Sequence, residues 1–436
     1  MLFGTQRINP QGHLEVGGVD AVDLAREFGT PLYVMDEEAL RGRCREYSEA
    51  LEQAAPGAVV SFASKAFLCG AAARLAVEEG MHLDVASLGE QRTALAAGVD
   101  PQLLTLHGNF KTNDDLNAAL EDNIGLVAID SVDEMRRLSE LAAARGRKQR
   151  SVIRVAPGID AHTLDAISTG RNDTKFGITA ENGAAVAAIE ECVGLPGIEL
   201  IGIHAHVGSQ ICSLEPFQLL AVKMMEICAK VSASTQWTPE LIILGGGLGI
   251  HYTSNDAPPS IKEVAAIQAA TVAEHAARLG ISCPRIGVEP GRSTVGEFGL
   301  TLYTIGPVKD VPAEEGGTRT YVTVDGGMSD NPRPLLYGAR YPVLLADRAN
   351  AVSEGTVRLT GRHCETDTLF DAELPRPRSG NLLAVLATGA YNHVMASNYN
   401  AFYRPPVVFV KDGDARLVVR RETQEDLMAR DMFISA

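Results

Sequence analysis

Lys65 stands in the run Phe62-Ala-Ser-Lys-Ala66, an amine at the end of an apolar stretch with no acidic neighbour in the chain. A lysine desolvated there, with its pKa lowered, is free to form an imine with a carbonyl, pyridoxal phosphate included. The plain alternative is a surface lysine at a strand end. His204 and His206 lie two apart on an expected strand and so point the same way. Such a pair either holds a metal, with His107 and Asp84 as the available partners, or sets one ring to stack on a planar cofactor while the other supports it. The glycine run 245–249 (Gly-Gly-Gly-Leu-Gly) lets backbone N–H groups approach a phosphate, and a following helix N-terminus would add its dipole. It lacks the spacing of a P-loop or a dinucleotide fingerprint. Ser209 could donate to the same phosphate. Glu289-Pro-Gly-Arg292 puts a carboxylate and a guanidinium at one strand end. The first suits a protonated pyridine nitrogen, the second a bidentate hold on a substrate carboxylate.

These groups follow short Val/Ile/Leu-rich runs at 58–62, 82–86, 103–107, 125–129, 151–155, 199–207, 241–244 and 285–289. Helical patterns at 70–79, 90–97 and 132–145 lie between them, the last opening on Ser131 and Glu134 at capping-box spacing. Each parallel strand needs a crossover helix, so eight alternations predict a (β/α)8 TIM-type barrel in preference to a doubly wound open sheet. In such a barrel, chemistry sits at the C-terminal strand ends, where Lys65, Asp84, His107, His206, the glycine run and Glu289 all fall. Beyond 295 the texture changes. Apolar runs at 301–311, 319–325, 356–361, 382–387, 407–410 and 415–420 are joined by Gly, Pro and Asp turns, which predicts a mainly antiparallel β-domain. The turn-rich first 35 residues join it. The expected division is a barrel over 36–295 and a β-domain built from 1–35 plus 296–436.

A length of 436 residues suits two domains, and a hydrophobic fraction of 45% with mean hydropathy +0.01 supplies an ordinary core. Lys+Arg of 39 against Asp+Glu of 55 leave a net charge of −16. That balance excludes nucleic-acid backbones and anionic membranes as partners, and any anionic ligand must be held by local donors. Seven cysteines without a Cys-x-x-Cys pair form neither a disulfide framework nor a zinc site. No apolar run approaches the ~20 residues of a membrane span, and the expected location is the cytoplasm.

Taken in order, several motifs resemble the diaminopimelate decarboxylases, within the alanine-racemase-like (fold type III) class of pyridoxal-phosphate enzymes. They are Ala63-Ser-Lys65, His107-Gly-Asn, Arg154-Val-Ala-Pro-Gly-Ile-Asp-Ala-His162, Ile167-Ser-Thr-Gly, Lys175-Phe-Gly-Ile178, His204-Ala-His-Val-Gly-Ser-Gln210, the glycine run and Glu289-Pro-Gly-Arg292. Past the barrel come Asp325-Gly-Gly-Met-Ser-Asp, Arg333-Pro-Leu-Leu-Tyr337, His363-Cys-Glu365, Gly389-Ala-Tyr391 and Ser397-Asn-Tyr-Asn400. The resemblance implies pyridoxal 5'-phosphate as cofactor, no metal, and decarboxylation of meso-2,6-diaminopimelate to L-lysine and CO2, the final step of lysine biosynthesis. It implies that Lys65 binds the cofactor as a Schiff base, Glu289 faces the pyridine nitrogen and His206 stacks on the ring. Asp84, Ser209, Gly246, Gly247, Gly291, Arg292 and Tyr391 are implied as further cofactor ligands or their neighbours. Arg292, Arg333, Tyr337, Glu365 and Tyr391 are implied to hold the substrate. Cys364 is implied as the general acid, contributed across the interface of a homodimer.

Three departures from the family pattern stand out: Thr366-Asp-Thr368 after Cys364-Glu365, Phe62 where tyrosine is common, and Phe110 after His107-Gly-Asn. The alternatives are another decarboxylase of this class, acting on ornithine, arginine, carboxynorspermidine or a carrier-bound amino acid, a metal-dependent barrel hydrolase built on His204 and His206, and a non-catalytic relative.

Overall fold

A computed structural model describes residues 1–159, 173–314 and 316–433. The motif residues from Asp160 to His162 and from Ile167 to Gly170 lie outside the described residues. The chain divides into two units. One comprises Arg43–Ile250 and Ala257–Thr294, the other Met1–Gly42, His251–Asp256 and Val295–Ala436.

The barrel of the first unit is built from eight parallel strands, with the short strand Ile178–Thr179 added beside the fifth: β1 (Val59–Ala63), β2 (His82–Val85), β3 (Leu104–Leu106), β4 (Leu126–Ile129), β5 (Gln149–Ala156), β6 (Ile198–His204), β7 (Leu241–Ile243) and β8 (Arg285–Val288). Each pairs with the next, and β8 returns to β1 through Gly287↔Val59 and Val288↔Val60, closing the barrel. All eight expected strands are present. Leu126, Ala128, Val152, Ile201, Leu241 and Ile243 form one buried interior cluster, and each large side chain contributes ~1.5–3 kcal/mol by leaving water. Strand ends are set by helix caps: Ser87 accepts from the Glu90 N–H, and Thr112 with Asp115 forms a full capping box.

At Ser131 the expected capping box is only half formed. Ser131 Oγ accepts from the Glu134 N–H, but the Glu134 carboxylate accepts from Lys111 Nζ at 2.8 Å instead of returning to Ser131. Lys111 is 2% exposed and donates also to the carbonyls of Gly108 and Ala128. A buried ammonium left without its carboxylate is far costlier than an unfilled cap, so the ion pair takes Glu134.

In the second unit, the long strand Gly299–Pro312 pairs antiparallel with Leu32–Asp36, Thr318–Val324 and Leu382–Val385. Gly355–Thr360 pairs antiparallel with Thr368–Leu374, and Val407–Lys411 with Asp414–Val419. Two pairings are parallel: Val407–Lys411 with Leu32–Asp36, and Thr318–Val324 with Gly355–Thr360. The architecture is thus a TIM-type barrel plus a mostly antiparallel β unit. Six strands of the second unit were not expected: Arg7–Ile8, Leu14–Val16 and Val19–Asp20, which form a small sheet of their own, and Leu32–Asp36, Val343–Leu345 and Thr368–Leu374. Among the described residues no helix is long and apolar enough to cross a membrane.

Candidate active site

β1 runs into a single 3-10 turn, Ser64–Ala66, that carries Lys65. The Ala63 N–H donates to the Pro290 carbonyl at 3.0 Å, which ties this turn to the end of β8. Lys65 is exposed, so the desolvated amine expected from the sequence is not what the fold provides. The Lys65 charge nonetheless reaches Asp84 and His206, lowering the pKa of each.

Glu289 is the electrostatic centre. His204 Nε2 lies 2.8 Å from Glu289 Oε2, and His107 Nε2 lies 3.1 Å from Oε1. The His107 contact lacks hydrogen-bond alignment, so Oε1 keeps no hydrogen-bond partner among the described residues. Burial pushes the Glu289 carboxyl up, but the imidazoles of His204 and His107 outweigh it and hold the group well below the usual carboxylate range. Asp84 goes the other way: burial first, then the neighbouring Glu289 charge, push it well above that range. Two carboxyls that share a buried site cannot both ionise cheaply, and the one facing the imidazoles keeps the charge.

His204 is 1% exposed, and burial lowers its pKa from the ordinary 6.5 to about 4. His206 is also held well below its ordinary range, by burial first and then by Lys65 and Arg154. The folded chain therefore refuses protons that the unfolded chain accepts, and its stability falls as pH falls from about 6.5 to about 4. His204→Asn is expected to make that fall shallower by ~2 kcal/mol, read from denaturant midpoints across the range. An unchanged slope would show that His204 contributes nothing to it.

The two histidines do not act as a pair. β6 ends at His204, so the two-residue alternation does not extend to His206, whose Nδ1 accepts from the Gly246 N–H at 3.2 Å. Among the described residues, His107, His204 and Glu289 place ligand atoms within 4.8 Å of one another, as a metal requires, but His206 is not in that group. The hydrolase arrangement built on His204 and His206 does not form.

The glycine run turns back along the barrel mouth. The Glu289 N–H donates to the Gly245 carbonyl at 2.8 Å. A Cβ on Gly246 would stand 2.1 Å from the Glu289 carbonyl oxygen, and one on Gly247, where φ is +113°, would stand 2.4 Å from that of Gly208. The run opens no helix, contrary to expectation, since the next long helix begins only at Ile261 behind its Ser260 cap. Gly246→Ala is expected to cost ~3 kcal/mol by overpacking against the strand that carries Glu289, measured by denaturant unfolding. A cost within experimental error would show that the loop can move aside. Beside the run, Ser209 Oγ accepts from Arg292 Nε at 3.2 Å and Nη2 at 2.9 Å, and Arg292 is buried.

Arg154, expected only as part of a motif, also belongs here. It lies over the Phe176 ring at 4.5 Å, 3.9 Å from Asp130, and its charge lowers the pKa of both His204 and His206. An arginine projecting from the middle of a barrel strand was the available signal.

The other expected site residues belong to the second unit and cluster there in two places. Arg333 is buried in a ring of tyrosines, donating to Tyr341 at 2.7 Å and Tyr252 at 3.2 Å and lying within 6.0 Å of the Tyr252, Tyr337, Tyr341 and Tyr391 ring centroids. Tyr252 and Tyr341 were missed, because neither belongs to a recognisable motif. Cys364 and Glu365 are exposed on a braced loop. The Cys364 N–H donates to Asn400 Oδ1 at 2.9 Å, and Tyr399 donates to Glu365 Oε1 at 2.6 Å. Asp367, in the stretch that departs from the family pattern, has φ +40° and is buried. Its carboxylate binds His363 Nδ1 at 2.5 Å and accepts the Met328 N–H at 2.8 Å.

The barrel residues suit a phosphorylated pyridoxal: an amine at Lys65, a spare oxygen on an ionised carboxylate at Glu289, and a guanidinium with a hydroxyl at Arg292 and Ser209. Residues 38–296 match the family described as pyridoxal-dependent decarboxylase, pyridoxal binding domain. The chain is 44% identical to the diaminopimelate decarboxylase of Bacillus subtilis, covering 99% of this chain and 98% of that one. It is 42% identical to that of Mycobacterium tuberculosis, covering 96% and 94%. The crystal structure of the diaminopimelate decarboxylase of M. jannaschii in complex with L-lysine superposes with a TM-score of 0.91 at 32% identity, covering 100% of this chain and 99% of that one. Motifs, fold and near-full-length identity agree: the chain belongs to the diaminopimelate decarboxylases, a family of pyridoxal-dependent enzymes.

Proposed function

We propose that this protein decarboxylates meso-2,6-diaminopimelate to L-lysine and CO2, with pyridoxal phosphate on Lys65. The observation that carries the reading is near-full-length identity to diaminopimelate decarboxylases, including the unit that holds Arg333 and Cys364. Bound pyridoxal phosphate supplies an electron sink for the pair released as the substrate carboxylate leaves. Every other task falls to the chain. Lys65 would anchor the cofactor, Arg292 and Ser209 would bind its phosphate with the Gly247 amide, and the ionised Glu289 would hold a proton on the ring nitrogen. His206 would stack against the ring. His204 and His107 keep Glu289 charged, while burial and that neighbouring charge disfavour a second negative charge on Asp84. Arg333, Tyr337, Tyr391 and Glu365 bind the substrate's amino-carboxylate ends, and the Cys364 thiol delivers a proton to the carbon that lost CO2.

The working form is proposed to be a cytoplasmic homodimer. Support comes from the helix Arg333–Tyr337, whose Leu335 and Leu336 are 54% and 55% exposed beside residues assigned to substrate. Exposure of Cys364 and Glu365 fits a loop that serves another copy. The test of the activity is a substrate panel: lysine should form from meso-diaminopimelate, with ornithine and arginine turned over far more slowly. Preferred turnover of ornithine would transfer the protein to the rival decarboxylases.

A further inference from the structure

The barrel has a second opening, at the end opposite Lys65. A cavity of about 110 Å³ enters its interior past Val59, His82, Leu104, Leu126, Leu241 and Arg285, each the first residue of its strand. Its polar lining is Ser61, His82, Gln102, Thr105, Arg150 and Arg285, and no carboxylate lines it. Arg150 and Arg285 are both exposed, and among the described residues neither guanidinium has an ion pair or a hydrogen bond. Glu199 stands opposite Arg150 in the β5–β6 register but does not pair with it.

Two guanidiniums that face one cavity repel each other, and among the described residues no ion pair offsets them. In a chain of net charge −16 this is a local inversion of sign, and a narrow cavity with low-dielectric walls concentrates its field. His82 is kept uncharged by burial and by Arg285, which leaves it a neutral hydrogen-bonding group beside the two cations. The geometry points to an anion site that is separate from the cofactor site: we propose that Arg150 and Arg285 bind a small tetrahedral oxyanion of the phosphate class at the N-terminal mouth of the barrel. Each planar guanidinium fork takes two oxygens of such an ion along a different edge, whereas a planar carboxylate offers only two oxygens in all. The cavity holds several waters' volume, enough for one such ion and too little for a nucleotide.

The experiment uses the cofactor-saturated enzyme, so that the cofactor's own phosphate subsite is filled. Inorganic phosphate is titrated by calorimetry at constant ionic strength, with chloride as the replaced ion. Saturable binding is expected, weakened about tenfold in Arg150→Gln and again in Arg285→Gln, with visible absorbance and turnover unchanged. The double variant separates specific binding from the general stabilising effect of phosphate on any folded chain. Equal titrations in wild type and double variant would overturn the proposal, as would tighter binding of acetate than of phosphate. Crystals soaked in selenate give an independent reading: anomalous density between Arg150 and Arg285 is expected, and its absence there refutes the site. None of these outcomes depends on which amino acid the enzyme decarboxylates.

Discussion

Lys65→Ala is expected to fold normally, to lose the visible absorbance of bound cofactor, and to turn over at least ~10³-fold more slowly. The fold should survive because Lys65 is exposed on a turn fixed by backbone contacts, and surface changes of that kind stay within ~0.5 kcal/mol. Activity should not survive, since only a primary amine can hold the cofactor covalently. The exposed side chain leaves a surface role for Lys65 as the competing account, and Lys65→Arg separates the two. Arginine keeps the positive charge that lowers the pKa of Asp84 and His206 but cannot form the linkage. If charge alone mattered, Lys65→Arg would be active. Substantial turnover in either variant would remove Lys65 as the anchor.

Part of the barrel was legible because some of its strands obey a local rule: a short, continuously apolar run buried on both faces, cut by a helix with its own cap. β4 and β7 announce themselves in that way, while the others carry a polar or charged residue or lead to a helix without a side-chain cap. Leu32–Asp36 has the same texture but lies far in sequence from its partners at Gly299–Pro312 and Val407–Lys411, and no local pattern reports such a pairing. Thr368–Leu374 could have been found, since Phe370, Ala372 and Leu374 alternate with exposed Asp371 and Glu373. For the site, residue types sufficed to name Lys65, Glu289 and Arg292 as chemically capable, but not to say which partner each meets. Two failures of expectation are of that second kind. Glu134 answers Lys111 rather than its own helix cap, and His206 meets Gly246 rather than sharing a ligand with His204. Lys65 lies on a 3-10 turn past the apolar strand and is exposed. The first two outcomes are each decided by a residue at least 23 positions away, as in the Lys111–Glu134 bond.

Cys364→Ala should retain the cofactor and the fold yet lose ~10²–10⁴-fold in turnover, the usual contribution of a positioned general acid. The loop around Cys364 is held without its thiol. The backbone N–H is taken by Asn400, the preceding His363 is locked to Asp367, and the following Glu365 is held by Tyr399. Deleting Sγ therefore removes the proposed proton donor and leaves the frame in place, so KM should change little while kcat falls. Cys364→Ser should not rescue, because a hydroxyl is a much weaker acid than a thiol in the same position. Glu365→Gln should behave differently, raising KM by weakening the hold on the substrate's ammonium. Mixing the inactive Lys65→Ala and Cys364→Ala proteins then asks where the thiol acts. If each site draws Cys364 from another copy, some mixed dimers carry one intact site and part of the activity returns. No recovery despite subunit exchange would place Cys364 with the Lys65 of its own chain, and unimpaired kcat in Cys364→Ala would exclude it from the proton transfer altogether.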